Sequence, residues 1–220
     1  LYSSVKGRNP FKDLRVRKAL YQAIDIETLR NKLMNGQSFP TGGMTPSPLG
    51  AYNDPELEKR LPYDLPAAKK LLEDAGYPDG FEVQLDCPNN RYINDEQICI
   101  ALAGMWAQLK IKVKVVAQPR ATYFPKLEKY DFSMYMLGWG GSVTDAETTL
   151  TPVMRNNLGE KGVGFQILLM TFWSSGDVPV SHAASPGLPA AGSCDALASL
   201  GFRRTSSGPK TSSYSVLYFA

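Results

Sequence analysis

Two alternating segments joined by one amphipathic helix dominate the middle of the chain. Residues 81–87 and residues 111–117 place apolar and polar side chains alternately, as half-buried strands do. Residues 95–109, between them, carry apolar residues along one helical stripe. A strand, a helix and a second strand in this order form a crossover unit, whose strands run parallel and whose connection is right-handed. The sequence therefore predicts an open mixed α/β sheet with helices on its faces.

Three helices are predicted ahead of the first strand, each beginning at an acidic residue. Asp13, Asp25 and Asp64 precede apolar residues with helical spacing, and an aspartate side chain can cap the first turn of a helix. The second and third of these helices are expected to end at Gly36 and Gly76, because glycine readily adopts the left-handed conformation that closes a helix.

Residues 37–63 join the second and third helices and contain five prolines. So many prolines argue against a regular element, and the sequence therefore predicts a long surface connection here. Beyond the crossover unit, a short helix near residues 121–129 leads to a further strand at residues 131–137.

The composition of the chain changes near Gly164. Residues 1–163 contain 21 Lys or Arg and 19 Asp or Glu, whereas residues 164–220 contain only 3 and 2. Such a loss of charge, with many serines, prolines and glycines, is typical of a flexible or poorly packed segment. The sequence therefore predicts a folded part at residues 1–163 and an aberrant low-charge tail at residues 164–220.

Charge and cysteine usage exclude several classes of protein. The net charge of +3 is too small to indicate nucleic-acid binding, and no nucleic-acid partner is predicted. The chain has no run of eighteen apolar residues, so no membrane-spanning segment is predicted. The three cysteines are too scattered for a disulfide framework or a zinc site, and Cys87 and Cys99 are predicted to be buried thiols. No metal or cofactor is predicted.

A binding site is expected at the carboxyl ends of the strands, where open α/β sheets hold their ligands. Two segments leave such ends, CPNNRY at residues 87–92 and GWGGS at residues 138–142. Glycine lets another main chain approach closely, and tryptophan adds a broad apolar surface. This combination suits an extended ligand held by main-chain hydrogen bonds, such as a peptide. A tight turn around a core tryptophan explains the same residues, and the sequence alone leaves both interpretations open.

Catalytic interpretations find little support in the residues. His182 is the only histidine, and no nucleophile motif surrounds it. Asp145 and Glu147 are two residues apart and would not face each other on a helix. The glycine-rich residues 159–164 lack the Lys-Ser or Lys-Thr pair of a phosphate loop. A small α/β hydrolase would need a nucleophile elbow, which is missing, so no enzymatic activity is predicted.

Three segments together resemble one protein family. They are NPFKDLRVRKALYQAID at residues 9–25, YDLPAAKKLLEDAGYPDGFEVQL at residues 63–85, and LGWGG at residues 137–141 with Asp145 after it. In order and spacing they are similar to the extracellular solute-binding proteins of ABC transporters for dipeptides, oligopeptides and nickel. The resemblance implies a periplasmic binding protein-like lobe, with a peptide-like small molecule and a membrane permease as partners. It also implies a periplasmic or extracellular location, with a signal peptide or lipid anchor on the full-length parent.

The resemblance also implies roles for residues at both strand ends. In peptide binders of this family, the main chain around the Gly-Trp turn pairs with the ligand, and the tryptophan lines a side-chain pocket. Arg91 and Tyr92 match a segment that faces the cleft, where an arginine can pair with a ligand carboxylate. Ser142 stands where oligopeptide binders carry an acidic residue for the ligand's free amine, which argues against an ordinary peptide with a free amino terminus. The predicted ligand-binding residues, expected around one concavity, are Arg91, Tyr92, Gly138, Trp139, Gly140, Gly141 and Ser142.

Full proteins of this family have two lobes, and the resemblance places residues 1–163 in the second lobe. It stops at Gly164, and we expect residues 165–220 to derive from a shifted reading frame or a mispredicted gene end. Reading the encoding DNA in the other two frames tests that origin. The predicted function is part of the substrate-binding component of an ABC transporter for peptides or peptide-like solutes. The alternative is a truncated or degenerate product without a transport role.

Overall fold

The computed structural model describes residues 9–43, 54–129 and 132–139, together with two strands at residues 171–174 and 213–219. Its helices are α1 (Leu14–Gln22), α2 (Ile26–Thr28), α3 (Pro55–Glu58), α4 (Leu65–Asp74), α5 (Asp95–Ala107) and α6 (Arg120–Glu128). A 3-10 helix, Pro10–Lys12, precedes α1, and a π-helical stretch, Leu29–Leu33, continues α2. Within the described ranges, no helix is both long enough and apolar enough to cross a membrane.

Three aspartates begin helices as predicted. The side chains of Asp13, Asp25 and Asp64 each accept a hydrogen bond from a main-chain N–H of the first helical turn, at 2.9 to 3.0 Å. Gly36 and Gly76 follow their helices with φ of 73° and 86°, a conformation that a side chain would strain. The starts and ends predicted for these helices are confirmed.

The strands form one mixed sheet. They are β1 (Ser38–Thr41), β2 (Glu82–Pro88), β3 (Lys112–Gln118), β4 (Met134–Trp139), β5 (Thr171–Ser174) and β6 (Ser213–Phe219). Their order across the sheet is β1-β5-β6-β4-β2-β3. β2 pairs in parallel with β3 and β4, whereas all pairs that involve β5 or β6 are antiparallel. The predicted fold class, an open mixed α/β sheet with helices on its faces, is confirmed.

The central crossover unit has the predicted arrangement. β2 and β3 pair in parallel along their whole length, from Glu82 opposite Lys112 to Pro88 opposite Gln118. α5 connects the two strands and packs against both of them. Parallel neighbours need such a crossover, because a short hairpin turn cannot bring the chain back to the same end of the sheet.

The larger apolar core lies on the face of the sheet that α1, α4 and α5 cover. Trp106 of α5 is fully buried there and donates its indole N–H to Leu20 O of α1 at 2.9 Å. Cys87 and Cys99 are buried in the same core, which confirms the prediction of buried thiols. A fully buried tryptophan needs such a partner, because an unpaired indole N–H would lose its hydrogen bond to water.

α6 packs beside β2 on the opposite face. Lys126 Nζ of α6 lies 2.7 Å from Asp86 Oδ1, and the Asp86 side chain is only 1 % exposed. Gln84 Nε2 donates to the other carboxylate oxygen of Asp86 at 2.8 Å. Side chains alternate along a strand, so these two polar residues of β2 lie on the face opposite to Leu85 and Cys87.

Residues 37–63 differ from the prediction that they contain no regular element. Residues 38–41 form β1, which includes Pro40, and α3 begins at Pro55. β1 is an edge strand of the sheet, where a missing N–H breaks no ladder on the outer side. Proline is equally acceptable in the first turn of a helix, because N–H groups there have no partner within the helix. The prediction from the number of prolines was therefore wrong for these two elements. Residues 44–53 lie outside the described part of the chain.

Two segments of the low-charge tail are strands of the same sheet. β5 pairs with β1, and β6 lies between β5 and β4. The other residues of 164–220 lie outside the described ranges. The division at Gly164 and the shifted reading frame stay predictions.

Candidate functional site

The strand order places a switch point of the sheet between the carboxyl ends of β2 and β4, and we call the gap between these two strand ends the crevice. From β2 the chain crosses to β3 on one side, whereas β4 lies on the other side of β2. Neighbouring strands whose connections leave in opposite directions open a space above their carboxyl ends, and α/β sheets bind ligands there. β4 pairs with β2 only at Leu85–Met134 and Asp86–Tyr135, so the two strands are no longer paired beyond these residues.

Residues 89–94, which leave β2 at this edge, are fixed by hydrogen bonds to three neighbouring elements. Asn89 N donates to Gln118 O of β3 at 3.0 Å. The side chain of Asn90 accepts from the first N–H of α6 at 2.8 Å. Asn94 adopts φ of 54° and donates its amide to Leu33 O at 2.6 Å. The loop is therefore held at its start and at its end.

Asp95, the first residue of α5, fixes the middle of this loop. Its Oδ2 accepts hydrogen bonds from Arg91 N and Tyr92 N, each at 3.0 Å. Its Oδ1 accepts from Glu96 N at 3.0 Å, and the residue is only 3 % exposed. Hydrogen bonds to a charged acceptor are stronger than those between neutral groups, so this carboxylate holds the main chain of both predicted site residues firmly.

Tyr92 crosses the crevice and contacts Gly138 of β4. The Tyr92 hydroxyl donates to Gly138 O at 3.0 Å. A Cβ added to residue 138 would overlap the Tyr92 ring, so the lack of a side chain at this position makes room for the tyrosine. Burial raises the pKa of Tyr92 to about 12, and the hydroxyl is therefore a protonated donor at neutral pH.

The carbonyl of Met136, two residues before Gly138, is also paired with a tyrosine. Tyr123 of α6 is fully buried and donates its hydroxyl to Met136 O at 2.6 Å. Burial raises the pKa of Tyr123 well above that of an exposed tyrosine. Alternate residues of a strand direct their carbonyls to the same side. The hydroxyls of Tyr92 and Tyr123 therefore donate to carbonyls on the same side of β4.

The structure brings together three of the predicted site residues at one edge of the sheet: Arg91, Tyr92 and Gly138. The Arg91 guanidinium carbon lies 5.0 Å from the centre of the Tyr92 ring, within the range of a cation–π interaction. Trp139 ends β4, but its side chain, and the whole of Gly140, Gly141 and Ser142, lie outside the described part of the chain. The shared concavity that includes Trp139 stays a prediction, and so does the ligand-binding role of all seven residues.

Sequence reasoning missed Asp95 and Tyr123. A signal for Asp95 was available, because Asn-Asp-Glu at residues 94–96 is typical of a helix start. No comparable signal pointed to Tyr123, whose partner is a main-chain carbonyl of another element. Across the residues that the structure describes, no three His, Cys, Asp or Glu side chains gather in the way metal ligands do.

Comparison with known proteins identifies the family of this chain. The family described as "Bacterial extracellular solute-binding proteins, family 5 Middle" matches residues 2–159. The chain belongs to this family, a class of proteins that bind solutes outside the cytoplasm. The resemblance found in the sequence is thereby confirmed, and so is the periplasmic binding protein-like fold.

Individual relatives agree with this family. The chain is 27% identical to Heme-binding protein A of Haemophilus influenzae over 158 residues, which are 70% of this chain and 28% of that protein. It is 30% identical to the Glutathione-binding protein GsiB of Escherichia coli K12 over 151 residues, 66% of this chain and 29% of that protein. Among solved structures, a periplasmic oligopeptide-binding protein of Borrelia burgdorferi matches with a TM-score of 0.54 and 32% identity, covering 67% of this chain and 29% of that one. The chain thus spans less than a third of the length of these relatives.

Proposed function

We propose that this chain is part of the substrate-binding component of an ABC transporter and contributes one wall of a crevice for a peptide or peptide-like solute. The crevice between the ends of β2 and β4, where Arg91, Tyr92 and Gly138 meet, carries this proposal. Membership of a solute-binding family supports it, and so does the name of the structural relative, an oligopeptide ABC transporter protein. The partner of the complete protein would be a membrane permease, and a lipid anchor on a longer parent belongs to the same proposal.

The chemistry at the crevice favours a ligand with a carboxylate. Arg91 presents a guanidinium group, which pairs with a carboxylate through two parallel hydrogen bonds. Relatives of this chain are named for binding heme and glutathione, and both of these compounds carry carboxylate groups. A carboxylate is also the one charged group that every unmodified peptide has at its carboxyl end.

Titration with matched ligands tests the proposal. We would follow the amide spectrum of the full 220-residue chain by NMR during addition of glutathione and of a tripeptide with either a free or an amidated carboxyl terminus. The free tripeptide should shift the amides of residues 89–94, and amidation should weaken its binding. Arg91→Gln should bring the free tripeptide to the level of the amide, whereas Lys70→Gln, at an exposed lysine of α4, should change nothing. Equal binding of both tripeptides would argue against carboxylate recognition by Arg91.

The second candidate function is a truncated product without a transport role. The chain spans less than a third of the length of these relatives. A thermal shift caused by ligand separates the two, because a ligand stabilises a protein only when it binds the folded state. If neither glutathione nor either tripeptide raises the unfolding temperature or shifts an amide resonance, the truncated product is the better description.

A further inference from the structure

We propose that Asp95 and Tyr92 are positioning residues, which hold the Arg91 loop and the end of β4 at a fixed separation across the crevice. This inference deepens the proposed function. Its consequence for ligand binding rests on that function, whereas the positioning role itself does not. It assigns Asp95 a role that no sequence argument gave it. It also gives Tyr92 a structural task at the site, besides its predicted contact with a ligand.

The first step is the hold of Asp95 on the loop. A buried carboxylate must be paired, and three main-chain N–H groups pair with this one. Two of these N–H groups belong to Arg91 and Tyr92, so the carboxylate bends the loop back onto the start of α5. The bonds of Asn90 and Asn94 fix the loop on either side. The main-chain position of Arg91 is therefore set by four hydrogen bonds within the protein, one made by each of Asn90, Arg91, Tyr92 and Asn94.

The second step is the span of Tyr92 from this loop to β4. β2 and β4 stop pairing after Asp86 and Tyr135. Beyond that point the carbonyls of Met136 and Gly138 accept hydrogen bonds from tyrosine hydroxyls, those of Tyr123 and Tyr92. The Tyr92 ring also fills the space of a side chain at residue 138. The distance between the loop and β4 is therefore set by the length of one tyrosine side chain.

The consequence is a preorganised site. Arg91 lies against the ring of the same tyrosine, so the guanidinium group and the end of β4 share one support. A ligand that contacts both would not have to order the loop on binding, and that ordering otherwise weakens affinity. If Asp95 merely capped α5, its loss would loosen the start of the helix but would not be transmitted to β4.

The positioning role differs from simple capping of α5 in one measurable way: only a positioning role lets a substitution at Asp95 affect Gly138. The variants are Asp95→Ala, Asp95→Asn and Tyr92→Phe in the full chain, with the double variant of Asp95→Ala and Tyr92→Phe. Tyr123→Phe is the matched control, because it removes the neighbouring tyrosine hydroxyl, which bonds Met136 O. NMR measures the exchange rates of the Arg91 and Tyr92 amides and the carbonyl ¹³C shift of Gly138. Neither measurement requires a ligand.

We expect Asp95→Ala to speed exchange of the two amides about tenfold or more, because each loses a bond to a charged acceptor. Asp95→Asn keeps an acceptor oxygen and should have a smaller effect. Tyr92→Phe should move the Gly138 carbonyl resonance upfield, and Asp95→Ala should move it in the same direction. The double variant should move it no further than Tyr92→Phe alone, whereas effects of Asp95→Ala and Tyr123→Phe should add.

A Gly138 resonance that is unchanged in Asp95→Ala, or effects that add in the double variant, would overturn the positioning role. If Asp95→Ala does not fold, the same comparison is made with Asp95→Asn, for which a smaller shift of the same sign is required. Titration with the free tripeptide then tests the consequence, and Asp95→Ala should lower its affinity severalfold. Absence of tripeptide binding to the unmodified chain would count against the proposed function, while the coupling would still be measured.

Discussion

At the scale of single residues, burial decides how much an ion pair contributes to stability. Asp86 and Lys126 form an ion pair in which the carboxylate has almost no contact with water. Lys112 and Glu82 form another, at 2.9 Å, in which both side chains are more than 70 % exposed. The distances are similar, but an exposed pair gains little because water and salt screen it.

Lys126→Ala should therefore lower the free energy of unfolding by about 3 kcal/mol, since it leaves a buried carboxylate without its cation. Lys112→Ala, the matched control, should lower it far less, because water and salt already screen the pair that it removes. Urea unfolding at neutral pH measures both. Equal losses in the two variants would show that burial of Asp86 does not govern this pair.

The raised pKa of Tyr92 predicts a dependence of stability on alkaline pH. The tyrosine titrates near 10 in the unfolded chain and at about 12 in the folded one. Between these values the folded state holds a proton that the unfolded state has lost. The contribution of Tyr92 to the free energy of unfolding is therefore complete below pH 10 and falls as the pH rises through 12. One proton accounts for about 1.4 kcal/mol per pH unit.

Tyr92→Phe removes this titration, and its stability should fall less steeply between pH 10 and 11.5 than that of the unmodified chain. Other buried tyrosines titrate in both proteins, so the comparison isolates Tyr92. Urea unfolding at several pH values provides the measurement. Parallel curves would mean that the pKa of Tyr92 is not raised.

At the scale of elements, the contact between the loop after β2 and the end of β4 decides which residue can occupy position 138. An alanine there would overlap the Tyr92 ring, and either the ring or the strand would have to move. Gly104 of α5 provides the contrast, because an added Cβ would meet nothing within 4 Å.

Gly138→Ala should therefore destabilise the chain by about 1–3 kcal/mol, the usual cost of overpacking. Gly104→Ala should instead stabilise it by about 0.5–1 kcal/mol, because alanine is the better helix former. Thermal unfolding of the two variants measures both effects. If Gly138→Ala costs less in a Tyr92→Ala background than in the unmodified chain, the loss is due to the ring, whereas an equal cost in both backgrounds would place its cause elsewhere.

At the scale of the whole molecule, the proposed function makes this chain one wall of a crevice. Small-molecule sites bury most of their ligand between walls. A ligand held against β2 and β4 alone would keep much of its surface in water, and apolar binding energy falls with the area left exposed. Each main-chain hydrogen bond adds only about 0.5–1.5 kcal/mol, because water competes for the same groups.

The chain by itself should therefore bind peptides no more tightly than about 1 mM, or about −4 kcal/mol. Isothermal titration with glutathione and a peptide library measures this affinity. A micromolar ligand would contradict the picture of a half-open crevice, whereas tighter binding by a longer parent protein would agree with it.

Local features of the sequence determined most of the elements in the described part of this chain. An aspartate caps a helix through an N–H two or three residues away, so the starts marked by Asp13, Asp25 and Asp64 were readable from spacing alone. The parallel pairing of β2 and β3 was equally readable, because a strand, a helix and a strand in succession have one common arrangement.

Only the tertiary structure decided on which side of β2 the strand β4 lies, and which side chains meet above their ends. Tyr92 and Gly138 are 46 positions apart, and their hydrogen bond exists only after three strands and two helices have packed. The same is true of Pro40, whose place in a strand depends on the sheet edge. Spacing along the chain specifies contacts within an element, but contacts between elements depend on how those elements pack, which local patterns do not encode.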